Sequence, residues 1–116
     1  MKRETAEPPA QAPQPKPARI PRARQTAIFK ALADPHRLEL LRRIARAGCP
    51  LACADARSAL AISAATLSHH VSELDSAGLI DVRREGKFAF LTLRPGVLTA
   101  VAQVLAEMET AACSSR

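Results

Sequence analysis

Residues 66–87, TLSHHVSELDSAGLIDVRREGK, combine side chains that could contact both the bases and the phosphates of a nucleic acid. Leu67, Val71 and Leu74 follow one another at i, i+4 and i+7, which predicts a helix with one side anchored in a core. The first half of this helix also carries short polar side chains that can reach base edges and phosphates: Thr66, Ser68, His69 and Ser72. We therefore predict a helix that lies in a groove of DNA.

A basic β-hairpin is predicted directly after this helix. Gly78 should end the helix, because the left-handed conformation at the C′ position costs glycine almost nothing. Apolar and polar residues then alternate over residues 79–84, a turn is expected at Glu85-Gly86, and residues 87–93 return as a second strand. A helix packed by one face beside a cationic hairpin is typical of a winged helix-turn-helix protein that grips a duplex.

Composition supports a polyanionic partner. The formal charge of the 116 residues is +6, with 17 Lys and Arg against 11 Asp and Glu. Trp and Tyr are absent and Phe occurs only at 29, 88 and 90, whereas proteins that bind RNA or single strands usually offer aromatic platforms. The i, i+2 spacing of Phe88 and Phe90 puts both on one face of a strand, where core packing is expected. Duplex DNA is therefore the predicted partner.

The helices that precede residue 63 must position the predicted DNA-binding helix and hairpin. Residues 22–33 are predicted to form the first helix and residues 35–47 the second, since Asp34 is a good N-cap and Pro35 suits N1. Residues 54–60 should form a third helix, after an extended piece at Pro50-Leu51. Ser63 should cap the fourth helix, which runs to residue 77. We expect Arg37 to be solvated and the buried face of the second helix to be formed by Leu38, Leu41, Ile44 and Ala45.

A last helix is predicted from Pro95 to residue 112. Its apolar stripe is wider than packing on one small domain requires and consists of Val97, Leu98, Val101, Val104, Leu105 and Met108. The stripe suggests a subunit interface. The predicted fold is mainly α with a β-hairpin wing, a winged helix-turn-helix in the order α-α-α-α-β-β-α.

The ends of the chain differ from its centre in composition and in the order expected of them. Residues 1–20 are rich in proline and poor in apolar groups, so a disordered or polyproline-like tail is expected there. Residues 21–112 should form the domain and residues 113–116 a frayed C-terminus. No segment has the ~20 apolar residues needed to span a bilayer, and no secretory signal is evident. A cytoplasmic location is therefore expected.

From Phe29 to Leu93 the chain resembles the ArsR/SmtB family of bacterial winged-helix repressors. LADPHRL, at residues 32–38, resembles the opening of that family's second helix. SAATLSHHV, at residues 63–71, resembles its recognition helix. AGLI at residues 77–80, followed by RREGK at residues 83–87, resembles its wing.

The resemblance implies a homodimer that binds an inverted-repeat operator and represses its own operon until an inducer weakens binding. Carried over residue by residue, it places contacts to bases and backbone at Ala64, Ala65, Thr66, Ser68, His69, Ser72, Arg83, Arg84 and Lys87. Because many relatives have glutamine or serine at the two alanine positions, shape and phosphate contacts should carry more of the binding. The dimer would pair through the first and last helices, at Phe29, Val97, Val101, Val104, Leu105 and Met108.

The family-type zinc sites are not matched. The cysteine positions of the third-helix site fall on Ala52 and Ala54, and no histidine follows Pro95 for the site on the last helix. His69 and His70 do not chelate one ion together, because adjacent helix residues point about 100° apart. We expect His70 to be a packed, hydrogen-bonded histidine and His69 to face outward.

The three cysteines do not determine the identity of the inducer. An odd number, without a secretory signal, argues against a disulfide framework. Cys49, Cys53 and Cys113 could together bind a soft metalloid such as As(III), or a pair could form a reversible disulfide. A thiol-based sensor is the favoured interpretation; the alternatives are that the cysteines are idle and that the inducer is a non-thiol compound.

An enzyme is not predicted. Glu73, Asp75 and Asp81 are scattered acidic residues, with no nucleophile or glycine-rich phosphate loop nearby. The predicted function is a sequence-specific, duplex-DNA-binding transcriptional regulator, an autorepressor released by an inducer. The alternatives are a constitutive DNA-binding protein and a winged-helix regulator that responds to a non-thiol small molecule.

Overall fold

The elements follow the predicted order, with one additional strand. The computed structural model describes residues 19–112, so residues 1–18 of the predicted tail and residues 113–116, which include Cys113, lie outside the described residues. Within this range the helices are α1 (Arg22–Leu32), α2 (Pro35–Ala47), α3 (Cys53–Leu60), α4 (Ala64–Ser76) and α5 (Val97–Ala111). The strands are β1 (Leu51–Ala52), β2 (Ile80–Glu85) and β3 (Phe88–Leu93).

Local side-chain chemistry explains where α2 and α4 begin. Asp34 Oδ2 accepts a hydrogen bond from the backbone N–H of Arg37 at 3.0 Å, and Pro35 occupies the first turn of α2. Ser63 Oγ accepts from the backbone N–H of Thr66 at 3.1 Å. Each cap satisfies a donor that would otherwise lack an intrahelical partner. Both predicted helix starts are confirmed.

The end of α4 is also as predicted. Gly78 has a φ of +81°. Its N–H donates to Asp75 O at 2.9 Å, and the N–H of Leu79 donates to Leu74 O at 3.0 Å. This is the Schellman arrangement, which directs the chain straight from α4 into the hairpin.

Two predicted boundaries were wrong by one or two residues. Glu85 pairs with Phe88 across the hairpin, so the turn is Gly86-Lys87 and not Glu85-Gly86. Gly86 has a φ of +61°; two-residue hairpin turns require a positive φ at their first central position, and glycine adopts it at little cost. The last helix starts at Val97, after Gly96, rather than at Pro95.

The extended piece before α3 is the third strand of the sheet. Leu51 pairs with Leu91 and Ala52 pairs with Phe90, both antiparallel, which gives the strand order β1-β3-β2. The hairpin is thereby attached to the helical part of the domain by β1, which leads directly into α3. The sequence predicted an extended segment here but not its pairing.

The core lies where the helices and the inner face of the sheet meet. Among the described residues its largest fully buried side chains are Ile28, Leu40, Leu74, Leu79, Ile80 and Leu91. The predicted buried face of α2 was partly wrong: Leu40 is fully buried, Leu38 only partly, and Ala45 is exposed. The buried side of α2 follows from the positions of its neighbours, which the residue pattern alone does not give.

The two hairpin phenylalanines do not pack in the core. Cross-strand pairing puts Phe88 opposite Glu85 and Phe90 opposite Arg83, on the face away from the buried Leu91. Phe88 is 58% exposed, and Phe90 is partly exposed. The prediction that they share a strand face was correct, but that face is the outer one.

None of the helices described for residues 19–112 combines the length and the apolar character needed to cross a membrane.

Candidate nucleic-acid interface

Helix α4, the predicted recognition helix, packs on the core by one side and is exposed on the other. Leu67 and Leu74 are buried in the core and Val71 is half-buried. The predicted DNA contacts of this helix are all exposed in the structure: Ala64, Ala65, Thr66, Ser68, His69 and Ser72. The core residues therefore fix the orientation of α4 while its polar side remains available to a ligand.

The start of α4 presents a hydroxyl group with a defined orientation. Ser63 Oγ donates to Thr66 Oγ1 at 2.9 Å while it accepts from the Thr66 N–H. The Thr66 hydroxyl is exposed and can act as a donor or an acceptor towards a phosphate or a base edge. Ala64 and Ala65 contribute only methyl groups, which suit apolar contact with thymine methyls or close approach to the DNA backbone.

The three cations of the wing have different surroundings. Arg83 Nε lies 2.9 Å from Glu85 Oε2, and its guanidinium lies 5.8 Å from the centre of the Phe90 ring. Lys87 Nζ lies 5.8 Å from the centre of the Phe88 ring at the hairpin tip. Arg84 alternates with Arg83 along β2 and is exposed. Among the residues that the structure describes, Arg83 is therefore the wing cation whose charge a carboxylate partly neutralises.

His70 is the buried polar residue of α4, as predicted. It is 6% exposed, and its Nδ1 lies 3.5 Å from Arg37 Nη1 and 3.9 Å from Asp34 Oδ2. Burial lowers the pKa of His70, an effect opposed by Asp34 and reinforced by the nearby Arg37, His36 and His69. The imidazole is therefore neutral near pH 7.

Arg37 connects three helices, contrary to the expectation that it is solvated. Its Nε donates to Ala31 O at 2.7 Å and its Nη2 to Lys30 O at 3.4 Å, at the end of α1, while Nη1 lies beside His70 of α4. The backbone N–H of Arg37 also holds Asp34, which lowers the pKa of that carboxyl. This network was not predicted from the sequence, although Asp34 and Arg37 belong to the motif at residues 32–38.

The residues predicted for the dimer interface fall into three groups by exposure. Val101 is 7% exposed and belongs to the core of its own chain; Phe29, Val97 and Val104 are half-buried. Leu105 and Met108 are 49% and 60% exposed. An open cleft of about 1250 Å³ runs between α1 and α5 and is lined in part by Phe29, Val104 and Met108.

Cys49 and Cys53 are both free thiols in the structure. Cys49 is exposed, on the loop after α2. Cys53 is half-buried at the start of α3 and packs against the core. Burial raises the pKa of the Cys53 thiol, an effect that the nearby Arg84 partly opposes. Cys53 is therefore mainly a neutral thiol near pH 7.

Comparison with known proteins agrees with this geometry. The family model of a helix-turn-helix domain matches residues 32–83. The chain is 34% identical over 67 residues to an HTH-type transcriptional regulator of Bacillus subtilis, a match that covers 58% of this chain and 67% of that protein. It is 36% identical over 70 residues to an arsenic resistance transcriptional regulator of Pseudomonas putida.

The chain belongs to the ArsR/SmtB family of transcriptional regulators. The match to the Pseudomonas regulator covers 60% of this chain and 54% of that protein, so the chain spans about half the length of this relative. A similar solved structure is the homodimeric winged helix-turn-helix DNA-binding domain of a possible ArsR-family regulator from Mycobacterium bovis. It has a TM-score of 0.60, is 27% identical, and covers 76% of this chain and 82% of that one. The winged-helix fold predicted from the sequence is confirmed.

Proposed function

We propose that this ArsR/SmtB-family chain binds a specific duplex operator as a homodimer and represses transcription there until an inducer releases it. The observation that carries the proposal is the exposed polar side of α4, from Thr66 to Ser72, held by a buried opposite side and followed directly by a cationic hairpin. Such a helix enters the major groove while the wing contacts the backbone.

The positions of the exposed side chains suggest which of them contact bases and which contact phosphates. Ser68, His69 and Ser72 are exposed on α4 and can exchange hydrogen bonds with base edges. Arg84 and Lys87 lie on the hairpin, where positive charge lowers the free energy of binding to any duplex by releasing counterions. Specificity is therefore assigned to α4 and general affinity to the wing.

A homodimer is supported by the exposed apolar part of α5. Leu105 and Met108 are large side chains exposed beside the cleft between α1 and α5, and the related domain from Mycobacterium bovis is homodimeric. Pairing through α1 and α5 would bury these side chains. It would also present two copies of α4 to half-sites about one helical turn apart, which predicts an inverted-repeat operator.

The inducer is proposed to act through thiols. Cys49 is exposed and lies four residues before Cys53, with β1 between them, so a soft metalloid of the As(III) type or an oxidant that joins the two sulfurs would pull on the start of α3. The arsenic resistance regulator of Pseudomonas putida is a relative. The half-buried state of Cys53 weighs against a fast reaction at this position. The α1–α5 cleft offers the alternative, a non-thiol small molecule that enters the interface.

The decisive experiment is selection of bound duplexes from a random-sequence library, followed by titration of the selected and a scrambled duplex at several salt concentrations. We expect an inverted-repeat motif and a clear preference for it at every salt concentration. Equal affinity for selected and scrambled duplexes would refute specific operator binding. Repeating the titration with arsenite, and with Cys49→Ser and Cys53→Ser variants, tests the thiol mechanism separately.

A further inference from the structure

A cluster of potential metal ligands joins the start of α2 to the recognition helix. Asp34 caps α2, His36 lies in its first turn, and His70 lies on the buried side of α4. One ligand atom from each residue lies within 4.8 Å of those of the other two. His70 is buried, Asp34 half-buried and His36 exposed. The cluster therefore has a buried floor and a side open to solvent, through which an ion could enter.

We propose that Asp34, His36 and His70 bind one divalent ion of the zinc, cobalt or nickel class, with water completing its coordination. Two imidazole nitrogens and one carboxylate oxygen suit these borderline ions better than calcium or magnesium, which prefer oxygen ligands alone. The donor set contains no thiolate. The site is therefore chemically distinct from any site formed by the cysteines.

The three ligand atoms need to move only a short distance to coordinate one ion. Zinc bonds to nitrogen and oxygen of about 2.0–2.2 Å place tetrahedral ligand atoms about 3.4 Å apart. His70 Nδ1 and Asp34 Oδ2 are already 3.9 Å apart, and the widest separation in the cluster is at most 4.8 Å. His36 is exposed in the first turn of α2, so its side chain has room to rotate towards the other two ligands.

Arg37 affects two of the proposed ligands in opposite ways: its backbone holds one in place, and its side chain competes with the ion for the other. The backbone N–H of Arg37 donates to Asp34 at 3.0 Å and fixes the carboxylate, which is a common support for a metal ligand. Arg37 Nη1, however, lies 3.5 Å from His70 Nδ1. An ion on that nitrogen must displace this part of the guanidinium, while the Nε bond to Ala31 O can remain. Metal binding would thus replace an arginine contact between α2 and α4 with a coordinate link.

This exchange would affect the proposed DNA contact, a step that rests on the proposed function. The His69 ring centre lies 5.9 Å from that of His70, and His69 is exposed on the side of α4 assigned to DNA. A link between α2 and α4 would change how α4 is held, and therefore its affinity for the operator. By thermodynamic linkage, DNA would change the affinity for the ion by the same factor.

The test is equilibrium binding of Zn²⁺, in competition with a chromogenic chelator, to the wild-type chain and to its His36→Ala and His69→Ala variants. His36→Ala removes an exposed ligand, and His69→Ala is the matched control, an exposed histidine outside the cluster. We expect His36→Ala to weaken binding at least about tenfold, since loss of a mere outer-shell partner costs 10- to 100-fold. His69→Ala should bind like wild type. Equal affinities for wild type and His36→Ala would overturn the proposal.

The absorption spectrum of bound Co²⁺ distinguishes this site from one formed by the cysteines. With up to one equivalent of Co²⁺, the wild-type chain should show visible ligand-field bands without a thiolate charge-transfer band. A variant with Cys49, Cys53 and Cys113 changed to serine should give the same spectrum. A strong thiolate band in the wild type, lost in the serine variant, would assign the ion to the cysteines and reject the site. Because these measurements use no DNA, failure of operator binding leaves their outcome unchanged.

Discussion

Arg24 Nη2 of α1 donates a hydrogen bond to the carbonyl oxygen of Ala77 at 3.3 Å, at the C-terminus of the recognition helix. A Cβ at Gly78 would collide with this same nitrogen, and Gly78 also has a φ of +81°. The end of α4 is thus held both by the backbone conformation of a glycine and by an arginine from the first helix.

Gly78→Ala should therefore be more destabilising than Gly48→Ala. Both positions have positive φ, where a side chain costs roughly 1–2 kcal/mol, but nothing lies within 4 Å of a Cβ at Gly48. At Gly78 the displaced Arg24 also loses its bond to Ala77, worth about 0.5–1.5 kcal/mol. Chemical denaturation should show that Gly78→Ala lowers the free energy of unfolding more than Gly48→Ala does. When both substitutions are made in a chain that also carries Arg24→Ala, this difference should disappear. A difference that survives in that background would contradict the role of Arg24.

Removal of the Ser63 cap should destabilise the fold by about 1 kcal/mol. Ser63→Ala removes the acceptor for the Thr66 N–H and the donor to Thr66 Oγ1, and loss of an N-cap side chain costs about 0.5–2 kcal/mol. Ser58→Ala is the matched control, since Ser58 is exposed within α3 and alanine is the better helix former. Denaturation midpoints of the two variants test this; an equal effect would mean that the cap contributes nothing.

Helix and wing variants should lose different properties. His69→Ala and Ser68→Ala should reduce the preference for the operator over a scrambled duplex, by roughly 1–3 kcal/mol where a good base contact is lost. Arg84→Ala and Lys87→Ala should weaken binding to both duplexes alike and flatten its dependence on salt. Arg83→Ala should do so less, because Glu85 already neutralises Arg83 in part. Equal loss of specificity in helix and wing variants would contradict the assignment.

Dimerisation should depend on Leu105 and Met108, not on Val101. Leu105→Asp and Met108→Asp change exposed side chains, so the monomer should fold normally while sedimentation shows loss of the dimer and operator affinity falls. Val101→Asp places a charge in the core of the same chain, which should lower the melting temperature of the monomer itself. A dimer unaffected by both exposed substitutions would place the interface elsewhere.

The two described cysteines should react at different rates. Because burial raises the pKa of Cys53, its thiolate fraction at pH 7 is small and should grow only as the pH rises above the ordinary thiol range. Cys49 is exposed and should be alkylated by iodoacetamide first at neutral pH. Mass spectrometry of each site over a pH series measures both rates. Faster alkylation of Cys53 at pH 7 would mean that the thiol is activated and would strengthen the thiol-sensor proposal.

The sequence by itself determined the features that depend on neighbouring residues along the chain. Asp34 and Ser63 cap helices because a short side chain can reach a backbone N–H three residues later, and Gly78 ends α4 because glycine tolerates positive φ. The apolar spacing of Leu67, Val71 and Leu74 likewise indicated which side of α4 faces the core. These are local effects, and the structure has them where the sequence predicted them.

Only the tertiary structure decided what depends on contacts between distant segments. The pairing of Leu51 with Leu91 joins residues forty positions apart, and strand register, not composition, puts Phe88 on the outer face. The approach of His70 to Asp34 and His36 requires α4 to pack across α2. Residue types permit many such contacts, and the packing of the whole core selects among them, because side chains from several elements must fill one volume together.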